Sequence, residues 1–182
     1  MGIDRAGISQ VSRPNGSSVI VFSYGSNMLS TRILERAPSA TAMGIGQLVG
    51  FELCWNKRSD DKSGKCSVTE TGHPQRVVWG VVHEMSAEDK LNHDKAEGLG
   101  QGYGERLVKI STQAGQLRAM IYYATSISPG LRPYDWYRDL VVAGAREHGL
   151  PEEYVRVVAS VPTMTDYDLD RAKRARRFLP SG

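Results

Sequence analysis

An apolar run near the start of the chain predicts a buried β-strand that leads into a polar loop. Residues 19–23 are Val, Ile, Val, Phe and Ser, so four of the five are β-branched or aromatic. The run stops at Gly25-Ser26-Asn27, and Ser30 is a candidate N-cap for a short helix that follows. The loop is therefore expected beside a helix start, where backbone N–H groups lack intrahelical partners. Such a loop could hold an anion or an oxyanion, or it could be an ordinary turn in which Gly, Ser and Asn supply the geometry.

The pattern that follows predicts a small curved sheet. Residues 41–58 mix apolar side chains with three glycines, which is typical of one or two bent strands with bulges. Residues 59–76 are polar and Gly-rich around a short strand, so a hairpin is expected there. Residues 76–85 are apolar on both faces at their centre, which predicts a central strand that crosses the core.

The second half of the chain combines helices with another hairpin. A serine cap, acidic residues in the first turn and a closing glycine predict a helix over 86–97. Residues 105–112 and 116–125 predict two strands joined by a short turn. A further helix is expected over 133–148, and the proline after it opens another. Five or six strands with interspersed helices favour an α+β fold, in which helices pack around a small barrel-like sheet.

Length and composition fit a single globular domain with short extensions. The chain has 182 residues and a mass of 20.0 kDa, with 40% hydrophobic and 24% charged residues and no fixed-period repeat. Residues 1–18 show no sustained period, so we expect a flexible N-terminal extension. The folded domain is predicted over 19–165, and a basic C-terminal tail or helix over 166–182.

Membrane and export signals are not expected from the composition. No stretch reaches the roughly 18 apolar residues that a membrane span requires, and the N-terminus is too polar for the core of a signal peptide. We therefore expect a cytoplasmic protein without a membrane partner. Cys54 and Cys66 are too few for a disulfide framework and too far apart for a Cys-x-x-Cys motif, which predicts two reduced structural thiols.

A cluster of basic residues carries much of the positive charge. The formal net charge is only +3, and the excess lies at the C-terminal end. Such a cluster is typical of the solvated face of a terminal helix, although it could contact nucleic acid or another anionic surface. Since no RNA-binding motif accompanies it, we do not expect a nucleic-acid partner. The cluster consists of Arg171, Lys173, Arg174, Arg176 and Arg177.

Glu97 is the ionisable residue whose position is hardest to explain by local rules. It falls in the last predicted turn of its helix, just before Gly98, where the helix dipole disfavours a carboxylate by about 0.3–1 kcal/mol. Burial, which can raise the pKa of an acid by several units, would have to supply most of any larger shift. An acid that breaks a local rule is a candidate functional residue, and the alternative is a surface Glu at a frayed helix end.

Two neighbours on the same helix bear on this candidate. Asp94 lies three residues before Glu97 on the same face, and paired acids suggest proton chemistry. Alternatively, Asp94 belongs to a solvated charged face together with Lys90 and Lys95. His93 lies four residues before Glu97, but no second His or Cys follows at ligand spacing within this helix. We therefore predict no metal site.

The remaining candidate groups are aromatic or nucleophilic. Tyr137 lies near Trp136 and Tyr134 in a predicted helix, where aromatic residues usually belong to the core, although one phenol could donate a hydrogen bond in a pocket. Ser26 has no neighbouring histidine, and neither cysteine lies in a recognisable nucleophile turn. Local sequence therefore gives no support for a protein nucleophile.

Five blocks in this order resemble the γ-glutamylcyclotransferase family. The resemblance covers residues 19 to 155, and the combination is more specific than the first block alone. The blocks are Tyr24-Gly25-Ser26-Asn27, Arg36-Ala37-Pro38-Ser39-Ala40, Val78-Trp79-Gly80-Val81-Val82, Asp94-x-x-Glu97-Gly98 and Gly144-Ala145-Arg146-Glu147-x-Gly149-Leu150-Pro151.

The resemblance implies a fold, an activity and a set of site residues. The fold is an AIG2-like α+β fold, with a small mixed β-barrel of about five to six strands and surrounding helices. The activity is the release of a γ-glutamyl group as 5-oxoproline, an acyltransferase- or lyase-type cyclisation linked to glutathione metabolism. By motif match, Glu97 takes the place of the catalytic acid/base. The implied substrate-binding residues are Val21, Phe22, Ser23, Tyr24, Gly25, Ser26, Asn27 and Tyr137.

The implied reaction agrees with the residues that the chain offers. A γ-glutamyl amide carries its own nucleophile, the α-amine, so no protein nucleophile, metal or cofactor is expected. The reaction needs one carboxylate to take a proton and return it, a role worth roughly 10²–10⁴-fold in rate. Backbone N–H groups of the polar loop would stabilise the oxyanion. A small γ-glutamyl molecule is the expected partner, and the leaving group and a homodimer are left open.

A second hypothesis from a different class is a non-catalytic module. It would keep the pocket for a small ligand and use its basic C-terminal tail to hold an acidic partner or nucleic acid. Glu97 discriminates between the two hypotheses, because a module that only binds has no need for an acid at a helix end.

Overall fold

The computed structural model describes residues 17–180. Most of the predicted N-terminal extension, 1–18, lies outside these residues, and the first strand begins at Ser18. The strands are β1 (Ser18–Ser23), β2 (Thr41–Val49), β3 (Phe51–Arg58), β4 (Gly64–Glu70), β5 (Val77–Ser86), β6 (Tyr103–Thr112) and β7 (Gly115–Ala124). The helices are α1 (Ser30–Arg36), α2 (Ala87–Glu97), α3 (Asp135–Glu147), α4 (Glu152–Ala159) and α5 (Leu169–Arg176).

Five of the strands form a closed barrel in the order β1-β5-β2-β6-β7. Neighbouring strands pair antiparallel, except where β1 meets β7 in parallel at Val21 and Met120 and closes the barrel. Strands β3 and β4 form a separate two-stranded sheet. This architecture confirms the predicted α+β fold with a small mixed barrel and surrounding helices.

The predicted bends in the sheet are also found. Segment 41–58 forms two strands that separate at Gly50, whose φ of 84° favours glycine. The register of β2 against β5 shifts between Ala42 and Gly44, as expected for a bulge. Glycine conformations therefore direct β2 into the barrel and β3 out of it.

Strand β5 is the central strand that its apolar pattern predicts. It pairs with β1 on one side and β2 on the other, and Val78, Val81 and Val82 are buried. Gly80 lies so close to β1 that a Cβ there would meet the Ser23 carbonyl oxygen at 2.3 Å. The absence of a side chain at Gly80 thus sets where β1 ends and where the polar loop begins.

The predicted caps of α2 are confirmed. The Ser86 hydroxyl accepts a hydrogen bond from the Asp89 N–H at 3.1 Å, and Gly98 ends the helix in the left-handed conformation with φ 72°. This termination leaves Glu97 as the final helical residue. The local signals therefore place Glu97 at the helix end, as the sequence predicts.

The prediction that Ser30 caps α1 is wrong. Leu29 occupies the N-cap position and makes no side-chain capping bond, while Ser30 is already helical. The Ser30 N–H instead donates to Glu147 Oε2 of α3 at 2.9 Å. A carboxylate from a distant helix thus accepts one of the backbone N–H groups that have no intrahelical partner at the start of α1. The local sequence cannot show this contact.

The core joins the barrel interior to the helix α3. Phe22, Leu48, Ile110, Ile121 and Leu140 are all nearly or fully inaccessible to solvent and belong to one cluster. Within residues 17–180, no helix is long and apolar enough to cross a membrane. The cysteines are unpaired, as predicted.

Buried His83 on β5 is expected to make the fold acid-sensitive. Neither ring nitrogen has a hydrogen-bond partner within residues 17–180. Burial, together with His148 and His93, lowers its pKa from 6.5 to about 4. The unfolded chain therefore binds more protons below pH 6.5. Stability should fall as the pH drops from 6.5 to about 4, by on the order of 3 kcal/mol from this residue.

Urea unfolding at several pH values checks this expectation. In His83→Leu, the free energy of unfolding should depend less steeply on pH between 6.5 and 4 than in the wild type. His73→Leu, at an exposed position, serves as the control and should keep the wild-type slope. Equal slopes for wild type and His83→Leu would contradict the assignment.

Candidate active site

A narrow pocket lies where the end of β1 meets the end of α2. It holds about 360 Å³ of empty space including its mouth. One wall is the polar loop, and the other walls are aromatic and ionisable side chains from α2, α3, β4, β6 and β7. The lining residues are Phe22, Ser23, Tyr24, Gly25, Ser26, Asn27, Cys66, His93, Glu97, Tyr103, Tyr122 and Tyr137.

The loop forms a single 3₁₀ turn, Ser26–Met28, rather than leading straight into α1. Met28 N–H donates to the Gly25 carbonyl at 3.0 Å, which closes the turn. The first N–H groups of such a turn, those of Ser26 and Asn27, have no partner within it. A Cβ on Gly25 would lie 3.2 Å from Cys66 Cβ, so glycine lets the loop pack closely against β4.

The structure brings the loop into direct contact with Glu97. Asn27 Nδ2 donates a hydrogen bond to Glu97 Oε1 at 2.8 Å, although 70 positions separate the two residues. Arg36 Nη1 of α1 donates to Asn27 Oδ1 at 2.9 Å and also pairs with Glu97 Oε1. Within residues 17–180, no hydrogen bond engages Glu97 Oε2. Asn27 and Arg36 thus hold Oε1 of Glu97, and Oε2 is available to a ligand in the pocket.

The surroundings of Glu97 favour its charged form. Burial raises the pKa of the carboxyl, but the Arg36 cation, together with the Asn27 hydrogen bond, brings the pKa below its ordinary value of 4.5. The side chain is only 16% exposed. Glu97 is therefore a largely buried carboxylate that is ionised at neutral pH and that has one free oxygen in the pocket.

Removal of Arg36 should raise the pKa of Glu97. With Arg36→Met the stabilising cation is lost and burial dominates, so the carboxyl should titrate at a higher pH than in the wild type. Carbon-13 NMR of the Glu97 side-chain carboxyl, followed over pH, measures this pKa. Arg118→Met removes an exposed arginine on β7 as the control and should leave the titration unchanged. An unchanged titration in Arg36→Met would show that Arg36 does not set this pKa.

Four tyrosines surround the pocket, and three of them use their hydroxyl protons within the protein. The Tyr24 hydroxyl donates to the Tyr122 carbonyl oxygen. Tyr103 Oη donates to the Cys66 carbonyl oxygen at 2.7 Å, and Tyr122 Oη donates to Asp94 at 2.5 Å. These three phenols shape the pocket and have no free donor for a ligand.

Tyr137 differs from the other three tyrosines. Its hydroxyl oxygen accepts the Cys66 N–H at 3.1 Å, so its own proton is not used for that bond. Burial raises its pKa, which keeps the phenol neutral and able to donate. The structure therefore places the Tyr137 hydroxyl in the pocket wall, and its proton is not used in the bond with the Cys66 N–H.

The interpretation of Asp94 as part of a solvated charged face is wrong. Lys90 is buried and bonds Asp94 at 2.5 Å and Glu105 Oε2 at 2.8 Å. Asp94 also accepts the Tyr122 hydroxyl, so this face of α2 packs against β6 and β7 instead of water. Asp94 orders the pocket wall, while Glu97 enters the pocket.

His93 is a pocket residue that the sequence suggested only as a metal ligand. It is fully buried with its ring against Tyr122, and neither nitrogen has a protein partner within residues 17–180. Burial lowers its pKa, so the ring is neutral. In the same part of the chain, no cluster of three or more His, Cys, Asp or Glu could hold a metal ion.

Other pocket residues carried no local signal. Cys66 was expected to be a structural thiol, and it lines the pocket beside the loop. Burial raises the pKa of its thiol to about 12, so it is not a thiolate nucleophile. Tyr103 and Tyr122 lie on strands whose inward faces are not distinguishable from the sequence alone.

One predicted binding residue, Val21, lies outside the pocket. It is completely buried in a second cluster with Ile33 and Met85, because side chains alternate along β1. Arg106 of β6 is also outside the pocket and pairs with Glu70 at 2.9 Å on an exposed face. From the predicted loop stretch, only residues 22–27 line the pocket.

A second, outer cavity adjoins the first. It shares Ser26, Glu97, Tyr103 and Tyr137 with the pocket, so Glu97 lies at the boundary between the two. Its other walls come from α1, α2 and the β3–β4 hairpin. They are Arg32, Arg36, Lys57, Ser59, Lys65 and Ala96.

Much of the basic C-terminal cluster pairs with acids of the same chain. Arg171 bonds the buried Asp166, with Nη2 to Oδ1 at 2.5 Å. Arg176 pairs with Asp135 at 2.8 Å, and Arg177 pairs with Glu35 at 2.6 Å. These contacts hold α5 against α3 and α1, so the cluster has a structural role in the fold.

Comparison with known proteins identifies relatives over most of the chain. A model described as the AIG2-like family matches residues 77–158. A Bos taurus protein named gamma-glutamylcyclotransferase is 32% identical over 163 residues, which cover 85% of this chain and 85% of the relative. The Homo sapiens protein of that name is 33% identical over 157 residues, which cover 82% of this chain and 81% of the relative.

Solved structures agree with this result. One titled gamma-glutamyl cyclotransferase superposes with a TM-score of 0.76 at 28% identity, covering 87% of this chain and 99% of that one. An uncharacterized protein from Homo sapiens superposes with a TM-score of 0.74 at 29% identity, covering 86% and 98%. The similarity therefore extends over nearly the whole length of these two neighbours.

Proposed function

We propose that this chain, which belongs to the γ-glutamylcyclotransferase family, releases 5-oxoproline from a γ-glutamyl amide with Glu97 as the general acid/base. The family is an enzyme family, and relatives that bear its name match most of the chain. The observation that carries the proposal is the contact between Asn27 and Glu97, because it joins the loop with free N–H groups to a carboxylate with a free oxygen.

The proposed reaction is an intramolecular acyl transfer. Glu97 Oε2 takes a proton from the α-ammonium of the substrate, and the freed amine attacks the γ-carbonyl carbon. The new C–N bond closes a five-membered ring, and the carbonyl oxygen becomes an oxyanion. Glu97 then gives this proton to the leaving nitrogen as the γ-amide C–N bond breaks. The ring nitrogen still carries two hydrogens and a positive charge, and it loses the second proton through the same carboxylate to the departing amine. The products are 5-oxoproline and an ammonium ion, and neither water nor a cofactor is consumed.

The loop is proposed to hold the substrate and the developing negative charge. The N–H groups of Ser26 and Asn27, which have no partner within the 3₁₀ turn, would donate to the γ-carbonyl oxygen, where one such donor typically contributes on the order of 10²–10³ in rate. Tyr137, whose hydroxyl oxygen would lie 3.4 Å from a Cβ on Gly25, offers a further neutral donor beside the loop. Phe22 to Gly25 supply the closely packed surface against which the glutamyl group lies.

The lowered pKa of Glu97 favours the acid half of its proposed role. The carboxylate is ionised at neutral pH and so can accept the ammonium proton, although the low pKa makes it a weak base. Once protonated, the same group is a strong acid towards the leaving nitrogen. Arg36 and Asn27 keep the side chain oriented, because they hold Oε1 while Oε2 exchanges the proton.

A substrate panel tests the proposal directly. Purified protein is incubated with γ-glutamyl dipeptides, glutathione and γ-glutamyl amines, and 5-oxoproline is measured. Formation of 5-oxoproline from at least one compound is expected. If none is converted, the proposed activity is refuted.

Several finer expectations stay predictions. They are a cytoplasmic location, a role in glutathione metabolism, the absence of a cofactor and a nucleic-acid partner, and the division into an N-terminal extension, a domain over 19–165 and a basic tail. A homodimer is likewise open to measurement by light scattering.

A further inference from the structure

The outer cavity is unusually rich in positive charge. Four cations line it, and Glu97 is the only carboxylate among its lining residues within 17–180. Two of the cations have acidic partners: Arg36 pairs with Glu97, and Lys65 pairs with Asp61 at 2.7 Å. Arg32 and Lys57 have no carboxylate within 4.0 Å in the described part of the chain. The cavity therefore carries two uncompensated positive charges.

These two cations are held in place by uncharged groups. Arg32 Nε donates to Ser26 Oγ at 3.0 Å, and its guanidinium lies 5.4 Å from the centre of the Phe178 ring. Lys57 Nζ lies 4.9 Å from the centre of the Tyr103 ring. Both side chains are thus oriented at the cavity without neutralisation of their charge.

The fold brings like charges together here at a cost in stability. Lys57 and Lys65 are direct cross-strand partners in the β3–β4 hairpin, where like charges destabilise a sheet. Arg32 and Arg36 are four residues apart on α1, which is also an unfavourable like-charge pair. Burial and Arg36 lower the pKa of Arg32 to about 10, so it stays charged at neutral pH. Two unfavourable pairs that meet at one cavity indicate a ligand that compensates them.

The position of Glu97 assigns the two cavities to the two parts of a substrate. Glu97 must lie beside the scissile amide, and it forms the boundary between the cavities. The inner pocket has the loop donors and no Lys or Arg among its lining residues. The glutamyl group therefore belongs in the inner pocket, and the leaving amine extends into the outer cavity.

We propose that the outer cavity is a subsite for a leaving amino acid with two carboxylates, so that γ-glutamyl derivatives of acidic amino acids are the preferred substrates. This inference rests on the proposed cyclisation and names its substrate class. Two carboxylates on the leaving amino acid match the two uncompensated cations, Arg32 and Lys57. A neutral leaving amine would leave Arg32 and Lys57 without an anionic partner.

A matched pair of substrates tests the proposal. γ-Glutamylglutamate and γ-glutamylglutamine have nearly the same shape and differ by one negative charge. In the wild type we expect kcat/KM to be about tenfold higher for γ-glutamylglutamate, mainly through KM, which corresponds to about 1.4 kcal/mol. This preference should shrink as salt is added.

Variants show which cations cause the preference. In Lys57→Met and in Arg32→Met the ratio of the two kcat/KM values should fall towards one. Lys109→Met removes an exposed lysine of β6 outside both cavities, and its ratio should equal that of the wild type. If the variants lower kcat/KM for both substrates by the same factor, the cations act on the shared glutamyl group and the subsite is refuted.

Calorimetric titration separates this inference from the proposed function. If neither substrate is cyclised, the proposed activity fails, but the dissociation constants of the two compounds still report on the subsite. Tighter binding of γ-glutamylglutamate that Lys57→Met abolishes would support an anion subsite without that activity. If cyclisation occurs, the titration uses Glu97→Gln, which should bind without turnover. Equal dissociation constants for the two compounds would refute the subsite in either case.

Discussion

Glu97→Gln is expected to lower kcat by about 10²–10⁴-fold while the protein remains folded. Glutamine keeps the size of the side chain and can still accept hydrogen bonds from Asn27 and Arg36 at its amide oxygen. It cannot take a proton from the α-ammonium or return one to the leaving nitrogen. The loss should therefore appear in kcat more than in KM, as for an interaction made in the transition state.

Steady-state kinetics with a substrate identified in the panel measure this effect. Glu88→Gln makes the same replacement at an exposed position in the first turn of α2, and its kcat should match that of the wild type. Melting temperatures of both variants verify that the fold is intact. Wild-type kcat in Glu97→Gln would remove Glu97 from the mechanism.

Gly80→Ala should be a strongly damaging single-methyl change near the site. The added Cβ would lie 2.3 Å from the Ser23 carbonyl oxygen and 2.7 Å from the Phe22 ring, so β1 and β5 would have to move apart. Overpacking of this kind costs about 3 kcal/mol, which lowers Tm by roughly 6–12 °C in a domain of this size. Because Ser23 precedes the polar loop, kcat/KM should also fall at temperatures where the variant is folded.

Differential scanning calorimetry and kinetics at a low temperature separate the two effects. Ala42→Val adds methyl groups at an exposed position of β2 and should change neither Tm nor kcat/KM appreciably. A Gly80→Ala variant with wild-type Tm and kcat/KM would show that the close approach of β5 to Ser23 does not position the loop.

Local patterns were sufficient for the order of the elements. The apolar run before the loop, the central strand 76–85 and the caps of α2 depend on neighbours in sequence, and all of them are found. The prediction for Ser30 failed because a partner more than a hundred positions away, Glu147, satisfies that helix start. The prediction for Asp94 failed because Tyr122 of β7 bonds it, and Glu105 of β6 bonds its neighbour Lys90. Each error concerns a charge or a donor with a partner from another element.

The candidate site shows the same division. The sequence predicts that Glu97 ends a helix and that a loop with free N–H groups follows a buried strand. Both predictions succeed because helix caps and turns depend on neighbouring residues. The sequence does not predict that the loop contacts Glu97 or that Arg36 pairs with both Asn27 and Glu97. Nor does it predict that the Tyr137 hydroxyl accepts the Cys66 N–H and keeps its own proton out of that bond. These features depend on how the barrel and helices place residues that are distant in the chain.

The sequence by itself thus determined the α+β elements, the loop and the acid at a helix end, since these follow from backbone geometry and short-range hydrogen bonding. Only the tertiary structure decided which charges are compensated and which are free. It holds one oxygen of Glu97 and leaves the other available, and it gathers Arg32 and Lys57 at one cavity without acidic partners. Electrostatic environment depends on burial and on distances between elements, and neither is encoded in any single stretch of the chain.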